Sequence, residues 1–252
     1  MSVALAPAVR LEGVTKVYGA GRQAVPALDR VSLEVATGEF LCVLGASGCG
    51  KSTLLSLIAG LDRPTAGEVD VGLGRPALMF QEPALLPWLT VWQNVELPLK
   101  LHRAPREERR ETVDRLLRTV HLSAFAGKRP HQLSGGMRQR VALARSLAQE
   151  SRLLLMDEPF GALDAITRDV LHEDLQAVWQ ANALTVVFVT HNVREAVRLG
   201  DRVVLLSSRP GTVAEVWDVN IPRPRTLDAA PVAAMASKIT DRLRREIRRH
   251  GH

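Results

Sequence analysis

The chain has 252 residues, enough for one large domain or two modest ones with a well-filled core. Hydrophobic residues make up 46% and charged residues 24%, an ordinary globular balance, and no apolar run approaches the roughly 18 residues of a membrane span. The formal net charge of +6 is scattered over most predicted helices, which reads as a solvated surface rather than a nucleic-acid footprint.

The opening MSVALAPAVR lacks the basic start and long apolar stretch of a signal peptide, so a cytoplasmic protein is expected. Val9 to Val35 alternates apolar and polar residues in the pieces VRLEGVTKVY and VSLEV and predicts antiparallel strands joined through a turn-rich GAGRQ. FLCVL, Phe40 to Leu44, predicts a strand buried on both faces. It runs into GASGCGKST and then a helix that buries Leu54, Leu55, Leu57 and Ile58 and is capped by Gly60. From about Gln81 to Glu150 strand signals vanish. Val113, Leu116, Leu117 and Val120 mark an amphipathic helix with REERRE on its exposed face and Pro105 in its first turn. A second helix follows Ser134, with Met137, Arg140, Val141, Ala144 and Leu147 at helical spacing.

Strands return at Leu153 to Met156, Thr185 to Thr190 and Val203 to Leu206, with a helix carrying Ile166, Val170, Leu171, Leu175 and Val178 between the first two. SRPGTV is a turn signal before Val213 to Val216. Strands alternating with helices on both sides of a helical insertion predict an α/β fold built on one mostly parallel sheet. The expected organisation is a main unit over 1–220 with the insertion at about 82–150, then a short helical tail over 221–252. In that tail Ile239, Leu243 and Ile247 form a stripe amid Arg242, Arg244, Arg245, Arg248 and Arg249, to be read either as a helix packed on the domain with a solvated basic face or as a contact for anionic lipid.

Gly45 to Ser52 fits G-x-x-x-x-G-K-[ST] between a strand and a helix. Its glycines turn the chain so that successive N–H groups of Gly45, Ala46, Ser47, Gly48, Cys49 and Gly50 face one anion. Lys51 is placed to reach the β- and γ-phosphates, Ser52 to offer a hydroxyl to Mg²⁺, and Thr53 to lie near the α-phosphate. LLLMDE delivers Asp157 toward a metal and Glu158 toward the γ-phosphate, where a carboxylate can orient and deprotonate water. LSGGMRQR, Leu133 to Arg140, is a second anion-type helix start, with Ser134 as N-cap and Gly135 and Gly136 permitting close approach. Cys42 and Cys49 read as reduced thiols, with Cys49 open to reactivity because a loop full of backbone N–H groups favours a thiolate.

With these motifs in order, the sequence resembles an ABC-type ATPase subunit from about Leu11 to Val216. The resemblance implies a P-loop NTPase (RecA-like) core with an N-terminal antiparallel β-subdomain and an inserted α-helical subdomain. It places Tyr18 against adenine, Gln81 at the metal or the water, Asp157 at the metal, Glu158 as base, and His191 on the γ-phosphate and Glu158. Asp164 of GALD would signal across a dimer; by itself it is an N-cap for AITRDVL, and it can do both. The signature Ser134–Gly135–Gly136, 84 residues beyond Lys51 at its first glycine, would cover the γ-phosphate bound by a second subunit, in a two-fold arrangement that completes two half-sites. Met137 and Asn192 depart from the commonest family pattern without removing a phosphate ligand.

LLPW, Leu85 to Trp88, together with EPFGALD resembles the nitrate/sulfonate/taurine importer branch; efflux and lipoprotein-release branches tend to carry threonine and asparagine where this chain has Phe160 and Ala162. That branch implies ATP and Mg²⁺ as ligands, a homodimer, two membrane-spanning permease subunits, a periplasmic or lipoprotein solute-binding protein, no nucleic acid, and a place on the cytoplasmic face of the cell membrane. Glu82 to Val95 reads as an apolar surface loop in which Trp88 helps form a groove for a partner helix and Trp92 is either core or groove. An ABC exporter ATPase, or a non-transport ABC protein acting on DNA or ribosomes, is the alternative. The single set of motifs, with no long heptad run and no CxxC pair, speaks against the second.

Overall fold

The computed structural model describes residues 6–161 and 163–250. Ala162, and part of the N-terminal stretch read as lacking a signal, lie outside the described residues.

FLCVL becomes β3 (Phe40–Leu44), every residue of it buried. Phe40, Cys42 and Leu44 point into one apolar core and Leu41 and Val43 into another, so alternate side chains serve opposite faces. The same division holds in β6 (Leu153–Asp157), β7 (Thr185–Thr190) and β8 (Arg202–Leu206). With β5 (Ala77–Met79) and β9 (Val213–Asp218) they make a sheet of order β5-β6-β7-β3-β8-β9, parallel except for the β8–β9 hairpin.

One face is covered by α1 (Lys51–Ile58) and by a separate antiparallel sheet of order β2-β1-β4, from β1 (Val9–Tyr18), β2 (Val25–Val35) and β4 (Ala66–Val71). The other face takes α2 (Val91–Leu101), α3 (Arg106–Thr119), α4 (Gly135–Leu147), α5 (Ala165–Asn182), α6 (Val193–Leu199) and α7 (Ala230–His250). The inserted helices therefore share one continuous core with the sheet.

Several local expectations need correction. Pro105 is the N-cap of α3 rather than a residue of its first turn. Glu82–Val95 is not loop throughout: α2 starts at Val91, with Thr90 and Gln93 forming a reciprocal capping box. Trp92 is half-buried against the core and its indole N–H donates to Asp114 (3.1 Å), whereas Trp88 is 66% exposed. The loop between them is organised by fully buried Asn94, whose amide donates to the carbonyls of Leu86, Leu89 and Thr90 and accepts the Leu86 N–H. In α5, Ile166 and Val170 are exposed while Leu171, Leu175 and Val178 are buried. The α7 stripe is Val232, Ala236 and Ile239, all buried; Leu243 is partly buried and Ile247 is exposed. Arg242 pairs with both Glu215 and Glu246, and Arg244 and Arg245 face solvent. The tail is thus packed on the domain with part of its basic face solvated.

Candidate functional site

Between β3 and α1 the backbone curls tightly. Gly50, the N-cap of α1, has φ 97° and no side-chain cap, and a Cβ there would lie 2.7 Å from both the Ala27 carbonyl oxygen and Leu28 Cδ2. Only glycine fits that conformation and that gap. The first turn of α1 is left without a side-chain acceptor for its N–H groups, which is what an anion site requires. Lys51 opens the helix and is buried; its Nζ donates to the carbonyls of Gly45 (3.0 Å) and Ala46 (3.1 Å) and lies 3.6 Å from Glu158 Oε1.

β6 and β7 run parallel with Asp157 beside Val189, so the residues just beyond the two strands, Glu158 and His191, meet at one end of the sheet. The Glu158 N–H donates to the Val189 carbonyl (2.9 Å), and Glu158 Oε2 lies 2.8 Å from His191 Nδ1. Glu158 has φ 42°, a left-handed conformation that costs a non-glycine residue on the order of 1 kcal/mol and is characteristic of functional positions. Its carboxylate is thereby held between Lys51 and His191. Burial pushes the Asp157 carboxyl up, and a hydrogen bond from the Ser52 hydroxyl draws it part-way back.

These groups border a cleft of ≈ 440 Å³. Tyr18, Val25, Pro26 and Ala27 form one side, Ser47, Gly48, Gly50, Lys51, Ser52 and Thr53 the floor, and Gln81 and Glu158 the far edge. Tyr18 is fixed by a hydrogen bond from its hydroxyl to Asp62 (3.1 Å) and by Lys16 Nζ over its ring at 4.9 Å. Asp62 in turn is held below the usual carboxylate range chiefly by its hydrogen bond from Lys16. Gln81 is exposed, and its carbonyl accepts a hydrogen bond from the buried Gln139 side chain of α4 (3.1 Å).

The second helix start is built differently. Ser134 caps α4, its hydroxyl accepting the Met137 N–H at 3.2 Å. Ser134 and Gly135 are exposed; Gly136 is buried where a Cβ would fall 2.4 Å from Thr167 Cγ2, so α4 and α5 touch there. None of these residues lines the Lys51 cleft. Asp164 is likewise outside it, capping α5 with its carboxylate on the Thr167 N–H (2.9 Å).

The chain is similar to known proteins over most of its length. Residues 28–161 match the family model for ABC transporters. A nitrate import ATP-binding protein of Synechocystis sp. is 46% identical over 221 residues, covering 85% of this chain and 83% of the relative. An aliphatic sulfonates import ATP-binding protein of Mesorhizobium japonicum is 47% identical, covering 86% and 82%. A solved dimeric ATP-binding cassette in a post-hydrolysis state, bound to ADP and Pi, has a TM-score of 0.76 at 36% identity, with 85% of this chain and 100% of that one covered. The chain belongs to the ABC transporter family. It is an ABC ATPase with a P-loop NTPase core, an N-terminal antiparallel β-subdomain and inserted helices. Among the described residues no helix is long and apolar enough to cross a membrane.

For this ABC cassette the structure brings together Lys51, Ser52, Thr53, Asp157, Glu158, His191, Gln81 and Tyr18 in or beside one cleft, and sets Ser134, Gly135, Gly136 and Asp164 elsewhere. The expectation of a reactive Cys49 is overturned. Its thiol is 1% exposed beneath the loop, and burial raises its pKa more than Lys51 and the backbone N–H groups lower it. Asn192 caps α6 through the N–H groups of Arg194 and Glu195, a task a carboxamide performs fully. Sequence reasoning missed Arg209, which stands in the cleft wall with its Nε–H on the Gly48 carbonyl (3.1 Å). SRPGTV showed only a turn.

Proposed function

We propose that this chain is the ATP-hydrolysing subunit of an ABC importer. It works as a head-to-tail homodimer beneath two membrane-spanning permease subunits on the cytoplasmic face of the cell membrane. A solute-binding protein would deliver a small solute such as nitrate, a sulfonate or taurine. In this reading 1–220 form the ATPase unit, with the helical insertion at about 82–150, and 221–252 form its tail. The observation that carries the chemistry is the Glu158 carboxylate, 3.6 Å from Lys51 Nζ and 2.8 Å from His191 Nδ1. The printed names of the nitrate and sulfonate relatives support import, and the dimeric cassette bound to ADP and Pi supports the pairing.

ATP lies with adenine on Tyr18 and its phosphates along Gly45–Thr53. Glu158 accepts a proton from water as the water oxygen bonds to the γ-phosphorus; the bond from that phosphorus to the β-bridging oxygen breaks, and ADP and phosphate result. His191 holds Glu158 in place, Lys51 balances charge that develops on the leaving phosphates, and Gln81 orients the water. Ser52, Asp157 and Gln81 offer only oxygen donors, a set that suits Mg²⁺, and the burial that raises Asp157 is relieved by a cation. When bound, that ion supplies neutralising charge to the phosphates. Ser134, Gly135 and Gly136 serve the γ-phosphate held by the partner subunit, with Asp164 beside that junction.

The test is phosphate release from Mg-ATP by the wild type and by Glu158→Gln. Turnover by the wild type and its loss in the variant, with ATP still bound, is expected. Equal turnover in both would remove Glu158 from the reaction.

A further inference from the structure

The β8–β9 connection is tied to itself and to β2 and packs closely against the phosphate loop. The Ser207 hydroxyl donates to the Pro210 carbonyl (3.0 Å), lies 2.9 Å from Thr212 Oγ1 and accepts the Thr212 N–H (2.9 Å), closing the loop on itself. The Gly211 N–H donates to the Ala27 carbonyl (2.9 Å), and the Gly211 carbonyl accepts the Asp29 N–H (3.0 Å). Gly211 packs so tightly that a Cβ would stand 2.2 Å from the Cys49 carbonyl oxygen. A side chain carried here is therefore held in register with both β2 and the phosphate loop.

That side chain is Arg209. It is exposed, lies in the cleft wall beside Ser47 and Gly48, and donates one N–H to the Gly48 carbonyl. Its Nη2 would be 2.8 Å from a Cβ at Gly48. Among the described residues no carboxylate pairs with it, in contrast to Arg202, Arg223 and Arg242, each of which meets a carboxylate. A guanidinium has five N–H donors in a fixed fork and matches phosphate oxygens two at a time. Here one donor is used and, among the described residues, no carboxylate balances the charge at the rim of the loop.

We infer that Arg209 is an additional ligand of the nucleotide's phosphate chain, delivered by the β8–β9 hairpin rather than by the phosphate loop itself. This rests on the nucleotide reading of the cleft proposed above. The base end of the cleft is Tyr18's; Arg209 sits over the loop that holds phosphate, so it adds charge where the polyphosphate lies.

The experiment is equilibrium binding of ATP and of inorganic tripolyphosphate, which has no base or ribose, to the full chain and to Arg209→Gln, Arg209→Ala and Arg209→Lys, at low and moderate salt. Gln and Ala should weaken both ligands by about fivefold to tenfold, with the gap narrowing as salt rises, and Lys should recover most of the loss at low salt. Gln keeps an N–H for the Gly48 carbonyl, so a prop for the loop would leave Arg209→Gln like wild type; that result overturns the inference. Loss of ATP affinity with tripolyphosphate unchanged also overturns it, placing Arg209 on the base or ribose. If wild type binds neither ligand, the nucleotide reading itself falls. Unliganded melting temperatures matching wild type show that each variant retains its hairpin.

Discussion

At the start of α1 a left-handed glycine leaves the helix uncapped by any side chain and a buried lysine stands over the loop; at the start of α4 the helix is already capped by Ser134 and its second glycine is pressed against Thr167. Both sequences advertise an anion site, yet only the first has charge, open N–H groups and a surrounding cleft. The second, where Ser134 and Gly135 are exposed and Gly136 is buried, is the half-site of the proposed dimer. An uncapped helix start leaves its N–H groups open to water or a ligand, whereas a capped one has part of that demand met and can be presented to something brought by another molecule.

The sharpest way to break the contrast is Lys51→Ala, which removes the charge from the α1 site. ATP affinity of the isolated chain should fall by about a hundredfold or more, with hydrolysis lost, as read by titration and phosphate release. Glu158→Gln comes next: hydrolysis should fall by about a thousandfold while ATP binding stays close to wild type, which separates the floor of the cleft from its chemistry. Ser134→Ala should act on stability instead. Binding of ATP to the isolated chain should stay within about twofold of wild type, and denaturant unfolding should show a loss of about 1 kcal/mol from the vanished cap.

The smallest effect distinguishes the Ser134 cap from the Asp164 cap. The Thr167 N–H holds the Asp164 carboxyl below its ordinary value, so the folded chain releases that proton more readily than the unfolded one. Its contribution is complete above the ordinary carboxylate range and disappears as pH falls through the lowered value. Asp164→Ala should therefore flatten the acid limb of the stability profile slightly, while Ser134→Ala lowers stability evenly with pH.

The sheet and the residues gathered at the Lys51 cleft were largely readable from the sequence because their signals are local. FLCVL, LLLMDE and TVVFVT are apolar runs bounded by loop residues, and they lead respectively into the phosphate loop, to Glu158 and to His191 beside it. β4 was not readable: AGEVDV buries little and exists by pairing with β1 across the long-range register Leu11 to Val69. β5 has three residues, too few for a period. α2 carries Pro98 and follows an apolar loop, which hid its start, although Thr90 and Gln93 spelled a capping box. Arg209 was invisible for a different reason. Its place depends on Gly211 meeting Ala27 and Cys49, contacts that join residues far apart in the chain.

The most direct test of the half-site account is the solution mass of Glu158→Gln with and without Mg-ATP, alone and combined with Ser134→Arg. The account predicts a dimer formed by Glu158→Gln only when Mg-ATP is present, and its absence once Ser134→Arg blocks the α4 helix start. ATP binding with an unchanged mass, or a dimer indifferent to Ser134→Arg, would contradict it.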